Sequence, residues 1–222
     1  MNDAEFALRK EIIATCLKME SKGLNQGTSG NVSVRFGEGL LITPSGLEYE
    51  TMAAEDIVYM TLDGEYEGRF KPSSEWRFHR DILKNRKDLN AIVHAHPIHS
   101  TAISMLNQGL PAAHYMIAAA GGPTIRCADY QTFGTQALSK EALLALEDRM
   151  ACLLANHGLI ACGPSLRKAL WLAIEVETLA HQYVVARSIG TPVVLDDDEI
   201  SVVLKKFKGY GPRPKDGETG PH

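Results

Sequence analysis

Apolar positions along the chain change period several times, and each change marks an element. From Asp3 to Lys22 they fall at Phe6, Ile12, Ile13, Cys16, Leu17 and Met19, a helical stripe that stops at Gly23. Val32 and Val34 then alternate with polar neighbours through Asn31 to Arg35, Gly37-Glu38-Gly39 turns the chain, and Leu40-Leu41-Ile42 returns before Pro44-Ser45-Gly46. This pattern predicts a hairpin followed by a tight loop. Another strand, Ile57 to Thr61, ends at Leu62-Asp63-Gly64, and Pro72-Ser73-Ser74-Glu75 opens a helix through Leu83, with Ser73 or Ser74 as its N-cap. The run Ala91-Ile92-Val93 carries His94-Ala95-His96 at its end. Beyond it the pattern predicts a helix over Ser100 to Leu106, an irregular stretch from Gly109 to Thr135 and a helix over Ser139 to Met150. Short strands, Cys152 to Ala155 and Leu159 to Cys162, flank Asn156-His157-Gly158. Ser165 caps a long amphipathic helix to about Ser188, and Asp196 to Asp198 precede a shorter one to Lys206.

Composition sets the frame for these elements. With 222 residues, 45% hydrophobic and 23% charged, one domain over residues 1–210 is expected, followed by a mobile Gly/Pro-rich tail over residues 211–222. A net charge of -4 without a lysine or arginine cluster gives no electrostatic footprint for nucleic acid or an anionic membrane. Met1-Asn2-Asp3-Ala4-Glu5 lacks a basic n-region and an apolar h-region, and even Ala169 to Arg187 is interrupted by Glu175 and Glu177, so a cytoplasmic location is expected. Cys16, Cys127, Cys152 and Cys162 form no Cys-x-x-Cys pair and read as reduced, buried thiols.

The candidate chemistry starts from the histidines. Residues i and i+2 of a strand share a face, so His94 and His96 would point their imidazoles to one side while Ala95 faces the other. His157, after a polar Asn and before a permissive Gly, is suited to presentation from a tight hairpin. Three imidazoles match the ligand count of a catalytic zinc site, which leaves a coordination position open. Hydrogen-bonded core histidines and a turn histidine without a ligand role fit the same residues. Of the others, His79 beside Arg77 and Arg80 reads as a surface or hydrogen-bonding group, His181 as part of a helix face, and His222 is terminal. His99 and His114 lie near the candidate site in sequence.

Three segments suit an anion. The helix start at Ser73-Ser74-Glu75 offers hydroxyls and unpaired backbone N–H groups, although an N-cap followed by an acidic residue looks the same. Gly27-Thr28-Ser29-Gly30-Asn31 and Thr43-Pro44-Ser45-Gly46 are small and hydroxyl-rich, able to cradle an oxyanion or simply to turn the chain. No P-loop or dinucleotide fingerprint is present, so a nucleotide is not indicated.

These segments, with Gly23 to Arg35, Leu41 to Gly46, Pro72 to His79, Val93 to Pro97, His114 to Gly122 and Asn156 to Cys162 in order, resemble the class II aldolase/adducin family. The likeness runs from the first helix to Lys206-Phe207-Lys208-Gly209-Tyr210-Gly211. It implies an α/β fold in three layers, a central mostly antiparallel sheet covered by helices. It also implies zinc held by His94, His96 and His157, with Glu75 near the metal and serving as the acid/base. Phosphate would be bound by Gly30-Asn31, Ser45-Gly46 and Ser73-Ser74. Tyr115 would cross a subunit boundary of a homotetramer to handle the proton of the aldehyde oxygen. Phe133 would line the aldehyde pocket, with Phe207 and Tyr210 in a tail closing the site.

The activity so implied is reversible aldol cleavage of L-fuculose 1-phosphate to dihydroxyacetone phosphate and L-lactaldehyde through a metal-stabilised enediolate. A related ketose-1-phosphate aldolase, or a pentulose-phosphate 4-epimerase of the same family, is the alternative. A zinc hydrolase is disfavoured because no His-Glu-x-x-His helix is present. A noncatalytic scaffold would have no need to keep three histidines and a glutamate together.

Overall fold

In the computed structural model, which describes residues 1–207, the chain opens with helix α1 (Asp3–Ser21) and strands β1 (Asn31–Phe36), β2 (Gly39–Ile42), β3 (Val58–Thr61) and β4 (Tyr66–Glu67). Helix α2 (Trp76–Asn85), strand β5 (Ala91–Ala95), helix α3 (Ile98–Ser104), strand β6 (Cys127–Ala128) and helix α4 (Gln136–Ala145) follow. Strands β7 (Ala151–Leu154) and β8 (Gly158–Gly163) then lead into helices α5 (Leu166–Ile189) and α6 (Asp197–Phe207). All eight strands join one sheet in the order β4-β3-β2-β1-β5-β8-β7-β6. Neighbours are antiparallel except β6 and β7, so the α/β fold with a mostly antiparallel sheet is as the family resemblance implied.

Alternation along the strands sorts the core onto two faces. Val32, Val34, Val93 and Ala161 pack with Ile12, Cys16 and Met19 of α1 and with Leu172 and Val176 of α5. On the other face Ile42, Ile92, Ile160 and Cys162 pack with Phe78, Ile82 and Leu83 of α2 and Leu138 of α4. Each large side chain buried this way contributes about 1.5–3 kcal/mol. Register then places the polar residues: Asn31 lies opposite His94 and Ser33 opposite Ile92, so all three point to the α2 face.

Several local expectations are corrected. Helix α2 starts at Trp76 with Glu75 in the cap position, and neither Ser73 nor Ser74 caps it. Ser73 is instead tied to the sheet side, its N–H donating to Thr43 O, while its hydroxyl accepts from the Glu75 N–H at 3.3 Å. Helix α4 begins earlier than expected because the Thr135 hydroxyl accepts from Leu138 N–H, and it ends at Ala145. The stretch from Gly109 to Thr135 is not wholly irregular, since it holds a 3-10 helix, Tyr115–Ala120, and strand β6. Ser165 caps α5 as expected. Cys16, Cys152 and Cys162 are buried, whereas Cys127 is half-buried; all four are free thiols. Among the described residues no helix is long and apolar enough to cross a membrane. Tyr210, His222 and the tail over residues 211–222 lie outside the described residues.

Candidate metal centre

Strand β5 and the β7–β8 connection deliver the histidines. His94 sits near the end of β5, where its Nδ1–H donates to Leu159 O of β8 at 2.8 Å, leaving the Nε2 lone pair directed inward. His96 follows just past the strand. Its backbone N–H donates to Asn25 Oδ1 at 2.9 Å, and its Nε2 lies 2.9 Å from His94 Nε2. His157 comes from the β7–β8 connection, where Asn156 takes a left-handed turn at φ 55°. Gly158 lets this connection close on β5, because a Cβ there would collide with Ala95 O and lie 2.8 Å from the His96 ring.

Glu75 approaches from the start of α2. Its Oε2 lies 3.0 Å from His94 Nε2 and accepts from Asn31 Nδ2 at 3.0 Å. Oε1 lies 3.2 Å from His157 Nε2 yet makes no hydrogen bond, although it is buried. Together Glu75, His94, His96 and His157 offer ligand atoms all within 4.8 Å of one another.

This donor set fits a divalent metal. Two imidazole lone pairs facing each other at 2.9 Å repel unless a proton or a cation lies between them, and the orphaned carboxylate oxygen needs a positive partner. Three imidazole nitrogens and one carboxylate oxygen suit zinc and related ions. Burial works to raise the Glu75 carboxyl, and the imidazoles of His94 and His157 outweigh it, holding the group well below the usual carboxylate range. Burial pushes His96 down to about 3, with His94 and His157 adding to the effect.

Glu75, His96 and His157 border a cleft of about 430 Å³, and His94 is fully buried behind them. Gly30, Asn31, Ser45, Gly46, Ser73 and Ser74 all line it, and Thr28 and Ser29 extend the same wall. Tyr130 and Phe133 form the opposite rim. That rim is anchored to α2: Arg77 stacks on Trp76 at 4.6 Å and donates to Gly134 O at 2.6 Å. Gly134, at φ 71°, is required there, since a Cβ would stand 2.7 Å from Ser74 O. Tyr115 does not line the cleft of its own chain; it is half-exposed, stacks on His114 and faces Phe207 at 6.5 Å between ring centroids.

The sequence reading missed two supports. His79, read as a surface or hydrogen-bonding group, is fully buried and hydrogen-bonded, so the surface alternative is set aside. Its Nδ1 meets Ser33 Oγ at 2.7 Å and its Nε2 meets Asn31 Oδ1 at 2.5 Å. Burial, aided by His94, pushes it down to about 3. The available signal was its spacing, since Glu75 and His79 lie four apart on one helix face. Asn25 is the second, accepting from His96 N–H and donating to Tyr49 Oη, which in turn donates to Gly30 O. His99 belongs elsewhere: it bonds Glu177 and stacks on His181 at 3.9 Å, fastening α3 to α5.

An α/β sheet carrying a three-histidine, one-carboxylate centre beside hydroxyl-rich loops defines a metal-binding enzyme. Residues 10–184 match the family described as Class II Aldolase and Adducin N-terminal domain, and the chain belongs to that family. It is 56% identical to the L-fuculose phosphate aldolase of Escherichia coli K12, over 93% of this chain and 96% of the relative. It is 51% identical to the 5-methylthioribulose-1-phosphate/5-deoxyribulose-1-phosphate aldolase of Rhodospirillum rubrum, over 95% and 96%. A solved structure of L-fuculose 1-phosphate aldolase superposes with a TM-score of 0.89 at 41% identity, covering 91% of this chain and 96% of that one. The protein is a class II aldolase, a lyase that depends on a divalent metal.

Proposed function

We propose that this enzyme cleaves L-fuculose 1-phosphate reversibly to dihydroxyacetone phosphate and L-lactaldehyde. The observation that carries the choice of substrate is the 56% identity to L-fuculose phosphate aldolase over nearly the whole of both chains. Zinc is the metal we assign to Glu75, His94, His96 and His157, a donor set rich in imidazole. Once bound, the cation supplies Lewis acidity toward the ketose carbonyl and takes up the charge that develops as the carbon-carbon bond breaks.

The protein's own groups do the rest. The loops at Gly30-Asn31, Ser45-Gly46 and Ser73-Ser74 hold the phosphate, all six residues lining the same cleft. Tyr115, from a neighbouring copy, takes the proton of the C4 hydroxyl as the C3–C4 bond breaks and the aldehyde leaves. Glu75, having taken up a proton from solvent, then delivers it to C3, completing dihydroxyacetone phosphate, and Tyr115 returns its proton to solvent; condensation reverses these transfers. Phe133 lines the aldehyde side, and Phe207 with Tyr210 closes the site. A homotetramer with sites at its interfaces would supply Tyr115, and the exposure of Ile98, Met105, Leu106, Ile189 and Val193 favours such contacts. Four free thiols suit a cytoplasmic setting.

A second reading, aldol cleavage of 5-methylthioribulose 1-phosphate or 5-deoxyribulose 1-phosphate, is favoured by the 51% identity to the Rhodospirillum enzyme. Purified protein of known metal content should be assayed on L-fuculose 1-phosphate, both pentulose 1-phosphates and a pentulose 5-phosphate, reading dihydroxyacetone phosphate through a coupled reductase. The highest kcat/KM is expected on L-fuculose 1-phosphate. A preference for either pentulose 1-phosphate selects the second reading, and epimer formation without free dihydroxyacetone phosphate overturns both.

A further inference from the structure

We propose that His79 is a positioning residue which, through the carboxamide of Asn31, determines which oxygen of Glu75 moves the proton. The inference rests on the assignment of Glu75 as acid/base made above. A carboxylate only accepts hydrogen bonds, so the end of Asn31 facing Glu75 Oε2 at 3.0 Å is its NH2 group. The Asn31 carbonyl oxygen therefore faces His79 Nε2 at 2.5 Å, and that nitrogen must carry a hydrogen. In the neutral ring Nδ1 is then bare, and the Ser33 hydroxyl donates to it at 2.7 Å. Every donor and acceptor is fixed from Glu75 outward.

A flipped Asn31 would set N–H against N–H at His79 and carbonyl oxygen against carboxylate at Glu75. Secondary structure enforces the chain of contacts: Asn31 and Ser33 are two apart on β1, and Glu75 and His79 are four apart along α2. None of the four is more than 5% exposed. Oε2 is thus tethered by Asn31, while Oε1, 3.2 Å from His157 Nε2 at the cleft, takes no hydrogen bond from Asn31 and is the oxygen left to take and give the proton.

The test compares His79→Leu, His79→Gln, Asn31→Ala and the His79→Leu/Asn31→Ala double variant in the metal-loaded enzyme. His79→Leu should lower kcat about 10- to 100-fold, the loss common for groups that orient a metal-site residue. KM for the ketose 1-phosphate should stay within about 2-fold, with unchanged metal content. Glutamine keeps an N–H for Asn31 and should restore most of the rate. The double variant should be no worse than Asn31→Ala, because His79 acts only through Asn31. Multiplying losses, equal loss in the Leu and Gln variants, or a raised KM with intact kcat would overturn the proposal.

Nitrogen-15 NMR of the resting zinc enzyme gives a readout independent of turnover. His79 should be neutral with its hydrogen on Nε2, and that proton should move upfield in Asn31→Ala. The opposite tautomer sinks the proposal even if aldol activity is found, and an inactive wild type with the expected tautomer sinks the reaction assignment instead. Should His79→Leu not fold, Ser33→Ala removes the donor to Nδ1 at little change in volume. It should shift the tautomer and lower kcat with KM unchanged; an unaltered tautomer and kcat count against the proposal.

Discussion

Glu75 and Asn31 form the inner wall of the cleft with His94 buried behind them, and all three stand on or directly beside regular elements and are at most 5% exposed. Across from them Tyr130 and Phe133 sit in a loop and are 60% and 64% exposed. The inner wall has its polar atoms tied to named partners except Glu75 Oε1, which lies 3.2 Å from His157 Nε2. The outer rim is tied at its base, through Arg77 to Gly134 O and through the Thr135 hydroxyl to Thr132 O. Proton transfer and metal binding need atoms fixed to a fraction of an ångström, and packed strands and helices supply that rigidity. Choice of aldehyde tolerates adjustment, which a loop supplies.

The sharpest way to break this contrast is at the inner wall. Stripping the metal with a chelator should abolish turnover and zinc should restore it, measured by coupled assay and elemental analysis. Glu75→Gln should reduce kcat about 10³-fold, within the range for loss of a general acid/base, while the three histidines retain most of the metal. A variant with near-native aldol cleavage would remove Glu75 from the mechanism.

The rim should respond more weakly. Phe133→Ala should change kcat/KM between aldehydes differing by one methyl group by about 10-fold, since such a contact is worth about 1–3 kcal/mol, with dihydroxyacetone phosphate binding unaffected. A loss as large as that of Glu75→Gln would mean that the loop takes part in the chemistry.

The smallest effect is on acid stability of the metal-free protein. His79 titrates near its ordinary value of 6.5 in the unfolded chain but is pushed down to about 3 in the fold, so the unfolded state takes up the proton first. Its contribution is full above pH 6.5 and is lost as pH falls toward about 3. The melting temperature of chelated wild type should therefore drop through that window, and His79→Gln, which does not titrate there, should show a shallower slope.

Local signals carried much of this protein. The alternation at Val32 and Val34, the turn at Gly37-Glu38-Gly39 and the Ser165 cap placed β1, β2 and α5 within a residue or two. His94 and His96, two apart, and His157 beside a glycine were visible as candidates because their spacing is itself the geometry. Boundaries failed where a contact distant in sequence competes with a local one. Ser73 looked like a cap, but Thr43 O holds its N–H at the sheet and its hydroxyl accepts from the Glu75 N–H, one residue before the helix begins, so Glu75 fills the cap position with its carboxylate turned inward.

His79 shows the limit most clearly. Between Arg77 and Arg80 it read equally as a surface or a hydrogen-bonding group, and only the docking of α2 on β1 buried it against Asn31 and Ser33, residues 48 and 46 positions away. Tyr115 is the complementary case, named by its motif yet turned away from its own cleft. The sequence by itself determined the elements, the metal-ligand candidates and the hydroxyl-rich loops, because these depend on neighbours a few residues apart. The tertiary structure decided which faces meet, and with them the orphaned Glu75 oxygen, the tethered one and the buried histidine behind it, because burial and hydrogen-bond direction exist only once the helix lies on the sheet.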